Sequence, residues 1–177
     1  CLTELGVAEK DYTETQAWQA QVSGGMNCFS SIRGDLHDVQ STKGVISFSS
    51  KCLRNNHSAL SELIQQTIQE VRFDEDQRLQ ELIEQICARK ENSITGQGHS
   101  LAMGLASSGM SPTAHLSHRF GGLQGIKRLK LLRTQLQDPS ARTALLQKFQ
   151  TLHALLLNAE QEFLLIAEPE YQSELLQ

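Results

Sequence analysis

His115-Leu116-Ser117-His118 is where this sequence comes nearest to a metal centre, because imidazoles three residues apart share one side of a helix. Zinc needs a further protein ligand, and no neighbouring residue fixes one, so the pair reads as solvated or hydrogen-bonded histidines near a helix start. Asp35-Leu36-His37-Asp38 sets a candidate base among carboxylates, yet it falls in a polar loop where those residue types serve the turn itself. Gly96-Gln97-Gly98-His99-Ser100 puts a histidine beside a serine, but adjacent helical residues do not face each other, and the G-x-S-x-G nucleophile elbow is missing. Its glycines interrupt a helical pattern instead of following a strand, so they form no dinucleotide fingerprint. Glu81, Glu84 and Glu91 line a charged helix with no partner ligand and read as a solvated face. The run Lys127-Arg128-Leu129-Lys130-Leu131-Leu132-Arg133 suits a membrane surface or a phosphate, and suits better the cationic outer face of an ordinary helix. No catalytic residue and no metal ligand emerges, and substrate-binding residues stay unassigned.

The elements that would position these groups follow from periodicity. Asp11 precedes a helical stretch from Tyr12 to Ala20 that Gly24-Gly25 ends, with Trp18 read as core. Met26 to Arg33 alternates with period two, and Val45 to Cys52 is a second β-branched and aromatic run, so the two are expected to pair as antiparallel strands. Leu60, Leu63, Ile64, Ile68 and Val71 recur at helical steps. Asp74 with Gln77 resembles a capping box for the next helix, which carries Leu79, Leu82, Ile83 and Ile86 toward Leu105 with a kink at Gly96 and Gly98. Ser111-Pro112 and Asp138-Pro139 are helix starts, Gly121-Gly122 and Gly125 interrupt, and the last helix should reach Asn158. Glu162 to Ala167 reads as a buried strand stopped by Pro169. The order is segregated α+β, an antiparallel or mixed sheet covered by helices. Three strands make a thin sheet, so at least one more is expected outside residues 1–177.

With 177 residues, 39% apolar, 20% charged, 12 Gly and 3 Pro, the composition fits one ordinary globular domain and excludes collagenous, disordered and disulfide-scaffold classes. Sixteen Lys and Arg against 20 Asp and Glu leave a net charge of −4, which disfavours a general nucleic-acid binder. No apolar run approaches the roughly 20 residues of a bilayer span. Cys1, Cys28, Cys52 and Cys87 lie far apart without a C-x-x-C pair and read as reduced thiols. The first residue is Cys with no signal segment before it, and Leu2 to Gly6 looks like the last turn of a helix whose earlier turns precede residue 1, with Gly6 as its left-handed cap.

Several short segments, in order, carry a resemblance. Leu2-Thr3-Glu4-Leu5-Gly6 with Asp11-Tyr12, then Val22-Ser23-Gly24-Gly25, Val71-Arg72-Phe73-Asp74 and Glu91-Asn92-Ser93-Ile94 begin it. Gly98-His99-Ser100-Leu101-Ala102, Gly109-Met110-Ser111-Pro112 and Phe120-Gly121-Gly122-Leu123 complete it. Together they resemble the third domain of the presequence-protease branch of the insulinase-like zinc metallopeptidases, over nearly the whole chain. The resemblance implies four related α+β domains in two halves closing around a chamber where unstructured peptides are cut. Residues 1–177 would then be a single partial domain of the C-terminal half, noncatalytic, walling the chamber and supporting substrate positioning.

In that family zinc is held only in the first domain, through H-x-x-E-H plus a distant Glu. This chain has no H-x-x-E-H. If the Leu5-Gly6 helix end matches the end of the motif helix, Cys1 falls near the second histidine. The resemblance therefore implies no cofactor on this fragment and zinc in the parent's N-terminal half. It places substrate-contacting residues of the C-terminal half beyond Gln177, and it implies that the opening strands of this domain are missing. An exposed sheet edge would then invite a fragment dimer or a peptide. Expected partners are the rest of the parent chain and an unstructured peptide, with neither nucleic acid nor membrane. The expected compartment is bacterial cytoplasm first and an organelle matrix second. Two rivals remain: a freestanding protein-interaction module, and a small metal enzyme centred on His115 and His118.

Overall fold

Asp11 opens the first helix by a reciprocal cap. In the computed structural model, which describes residues 2–171, its carboxylate accepts from the Glu14 N–H at 2.8 Å, and the Glu14 carboxylate accepts from the Asp11 N–H at 3.0 Å. Helix α1 (Tyr12–Val22) follows, and the chain turns through Gly25, whose φ of 113° only glycine adopts without strain. Strands β1 (Met26–Gly34) and β2 (Thr42–Ser50) pair antiparallel in unbroken register, from Met26 opposite Ser50 to Gly34 opposite Thr42. Helices α2 (His57–Gln69), α3 (Asp76–Ser107), α4 (Pro112–Gly121), α5 (Leu123–Gln135) and α6 (Pro139–Leu157) complete the order. The architecture is α+β, with helices gathered after one hairpin.

The two proline starts form as their chemistry dictates. Ser111 Oγ accepts from the Ala114 N–H at 3.1 Å to cap α4, and Asp138 Oδ1 accepts from the Ser140 N–H at 3.0 Å to cap α6. The kink in α3 sits where the glycines put it, at Gln97 with φ −119° and ψ 18°, between Gly96 and Gly98.

Elsewhere tertiary partners override local signals. Residues Glu162 to Ala167 form no strand and no other regular element, with Phe163, Leu164 and Ile166 each more than 85% exposed. An apolar run becomes a strand only when an edge offers hydrogen bonds, and among the described residues β1 and β2 pair only with each other. Leu2–Glu4 is a single 3-10 turn, and Gly6 is not left-handed; that conformation belongs to Ala8 at φ 53°. Glycine is required at position 6 for a different reason, since a Cβ there would lie 2.5 Å from the Lys10 carbonyl oxygen. Asp74 does not cap α3. Its carboxylate is taken by the Arg72 guanidinium at 2.9 and 3.0 Å, and Glu75 stands at the cap position with no side-chain bond to the helix. Trp18 is only half-buried, with Lys10 Nζ 4.8 Å above its ring.

Two apolar clusters hold the helices. Leu79, Ile83, Cys87 and Leu136 are buried together, with Leu129, Leu132, Leu145, Leu146 and Phe149 packed around them. Leu5, Val71 and Leu82 form the second with Leu2 and Phe73, and Val7 locks it by bridging to Val71. By contrast, no residue of either strand is buried.

Candidate functional site

The groups singled out by type and spacing are held apart and employed structurally. Asp35 Oδ1 accepts from the His37 and Asp38 N–H groups, and Asp38 Oδ1 accepts from Gln40, so the loop carboxylates shape the hairpin turn. Glu91 receives Lys130 at 3.2 Å and Arg133 at 3.5 Å, tying part of the basic run of α5 back to α3. His118 is turned inward against Gly122, where a Cβ would lie 2.5 Å from its Nδ1, while His115 is exposed. Among the described residues no group of three or more His, Cys, Asp and Glu side chains is close enough to hold a metal ion.

Thiol chemistry fares no better. Cys28, Cys52 and Cys87 form no disulfide, whereas Cys1 lies outside the described residues. Burial pushes the Cys28 and Cys87 thiols above their ordinary value, so neither is a ready thiolate, and Cys87 Sγ donates to the Leu129 carbonyl oxygen at 3.5 Å.

What the fold does build is an apolar cleft of about 150 Å³ between the sheet and α6. Cys28 and Ile46 floor it from one face of the hairpin, Leu2 and Leu5 close one end, and Phe73, Phe149, Leu152, His153 and Leu156 form the far wall. The register explains the floor: Cys28 faces Phe48 and Ser30 faces Ile46, so these four residues share one face. Phe73 orders the wall, stacked on Phe149 at 5.9 Å and edge-on to His153 at 5.5 Å. His153 Nε2 donates to the Ile68 carbonyl oxygen at 2.6 Å, which fixes the ring. No motif singles out Phe73, Phe149 or His153. Their one signal is the four-residue step from Phe149 to His153 along α6, which the sequence shows only as one more apolar stripe.

Of the cleft's lining groups only Cys28 and His153 are of nucleophile or base type, and burial raises the Cys28 thiol above its ordinary value. The cleft is a recess for apolar side chains beside a hairpin whose outer edges are unpaired among the described residues. A helix-rich α+β unit with a two-stranded antiparallel sheet beside an apolar recess is the class that fold and site define.

The chain belongs to the peptidase-associated family of subfamily C of the M16 peptidases, whose model matches residues 1–132. It is 28% identical over 160 residues to the mitochondrial presequence protease of Danio rerio, covering 90% of this chain and 15% of that protein. It is 29% identical over 129 residues to the mitochondrial presequence protease of Xenopus laevis, covering 73% of this chain and 13% of that protein. Presequence protease 1, chloroplastic/mitochondrial, of Arabidopsis thaliana is 25% identical over 140 residues, covering 77% and 13%. These similarities place the chain in the presequence-protease branch of the M16 peptidases. The chain spans less than a sixth of the curated relatives it matches.

Proposed function

We propose that this chain is a noncatalytic part of a zinc metalloendopeptidase that degrades unstructured peptides, where it walls the chamber and supports the position of the substrate. The observation that carries this reading is the hairpin: two nine-residue strands that bury no residue, beside an apolar cleft. A sheet left this bare is the piece of a larger layer, to be completed by neighbouring polypeptide. Zinc belongs to the parent's N-terminal half in this reading, which the lack of H-x-x-E-H in residues 1–177 supports. The whole of residues 1–177 acts as one partial domain. An organelle matrix is favoured by the mitochondrial and chloroplastic names of the relatives, with bacterial cytoplasm the other setting proposed.

The test is cleavage of an unstructured peptide by the purified chain, with and without added zinc and chelator, read by mass spectrometry. No chelator-sensitive product is expected. Chelator-sensitive cutting that is lost on changing His115 and His118 to Ala would place a metal site within these residues and overturn the noncatalytic assignment.

A further inference from the structure

Charge is distributed unevenly along this chain. All 20 Asp and Glu lie outside residues 92–137, and that stretch holds Arg119, Lys127, Arg128, Lys130 and Arg133. These cations all lie on α4 and α5, which pack on each other and on α3 as one helical lobe. An acidic chain thus presents a local basic surface.

The outward face of α5 repeats at four-residue steps. Leu123, Lys127 and Leu131 follow one another along it, with Arg128 alongside, while Ile126 and Leu136 face the core at 5% and 4% exposure. Arg119 and Phe120 end α4 immediately before, and the turn between the helices is tight enough that a Cβ on Gly125 would strike the Phe120 carbonyl. Phe120 is 65% exposed and Leu131 58%, values too high for side chains that serve this lobe's own core. Glu91 neutralises Lys130 and Arg133; Arg119, Lys127 and Arg128 have no carboxylate partner among the described residues.

We infer that this ridge is a docking surface for an acidic amphipathic polypeptide segment. The three unpartnered cations select anionic side chains, and Phe120, Leu123 and Leu131 between them require an apolar complement that a nucleic acid backbone lacks. The acidic excess over the rest of the chain also opposes an extended polyanion or an anionic membrane, which would have to lie against it, whereas a short helix seats on the ridge alone. The curated relatives run several times longer than this chain, so polypeptide to cover the ridge is at hand in such proteins. This inference does not depend on the chamber-wall reading.

Fluorescence anisotropy of a labelled amphipathic peptide of about 18 residues, Glu on one face and Leu on the other, tests it against the same peptide with Lys for Glu. The acidic peptide is expected to bind the 177-residue chain at least about tenfold more tightly than the basic one, and to weaken as salt rises from about 50 to 300 mM. Lys127→Glu/Arg128→Glu should reverse the preference, while Arg33→Glu/Lys43→Glu on the hairpin leaves it intact, both variants retaining native circular dichroism. Equal binding of the two peptides, or an acidic preference that survives Lys127→Glu/Arg128→Glu, would overturn the proposal. So would capture of phosphatidylserine vesicles without binding of the acidic peptide.

Discussion

Glu75 joins stretches of chain 69 and 63 residues away from it. Its carboxylate accepts from the Gly6 N–H at 2.6 Å and from the Tyr12 N–H at 2.9 Å, fixing the entry to α1 against the start of α3. Glu75→Gln keeps the shape but must turn an NH2 toward one of those donors. It should cost about 1–3 kcal/mol, read as a lower urea midpoint with an unchanged slope. Asp74 next door makes a different case. The hydrogen-bonded Arg72 guanidinium holds its carboxyl below the usual carboxylate value of 3.8. A carboxyl depressed in the folded state contributes stability that is present above its unfolded value and is lost as pH falls through its folded one. Stability should therefore decline as pH drops below 3.8 toward that lower value, and Asp74→Asn should flatten this part of an acid-unfolding curve by losing the pair's small surface contribution at pH 7 while matching the parent chain at low pH.

Among the elements, α3 and the hairpin respond oppositely to substitution. Gly96 and Gly98 flank the break at Gln97, neither needs a left-handed backbone, and a Cβ on either meets nothing within 4 Å. Gly96→Ala and Gly98→Ala should each stabilise by about 0.5–1 kcal/mol, seen as a higher Tm with greater helical circular dichroism. If the break is instead imposed by packing on α5, the helical signal will not rise. In the hairpin, Arg33 lies directly opposite Lys43, so Lys43→Glu replaces a like-charge pair with an attractive one and should gain about 0.2–1 kcal/mol by urea unfolding. The same contrast explains what is legible in the sequence. Caps at Asp11, Ser111 and Asp138, the glycine kink and the strand pair are local chemistry, and all form. The segment from Glu162 to Ala167 has strand composition without a strand, because a strand forms only by pairing and this segment pairs with neither outer edge of the hairpin. Asp74 and Gly6 carry the marks of local caps and serve other short-range contacts, Asp74 with Arg72 two residues before it and Gly6 beside the carbonyl of Lys10 four residues on. The cleft is invisible in the sequence because Cys28, Phe73 and His153 come from three separate stretches of chain.

For the whole molecule the decisive feature is how much apolar surface the fold leaves uncovered. The buried clusters lie around α3, α5, α6 and the N-terminal turn, while the hairpin shows Phe29 at 52% and Ile46 at 46% exposure and carries two bare edges among the described residues. A hairpin of this kind is marginally stable unless another layer covers it. Its amides should therefore exchange with deuterium well before those of the first half of α3, whose Leu79, Ile83 and Cys87 are buried. The same exposure makes self-association through the sheet an expected outcome when the chain is isolated, because an unpaired edge is a template for another strand. Sedimentation velocity should show a concentration-dependent shift toward dimer, and Phe29→Lys with Ile46→Lys, which places a charge on each face of the hairpin, should abolish it. A monomer at every concentration, with hairpin amides as protected as those of α3, would mean that the sheet is sufficient by itself. The case for a missing layer of polypeptide would then fall, and with it the observation on which the proposed chamber-wall role rests.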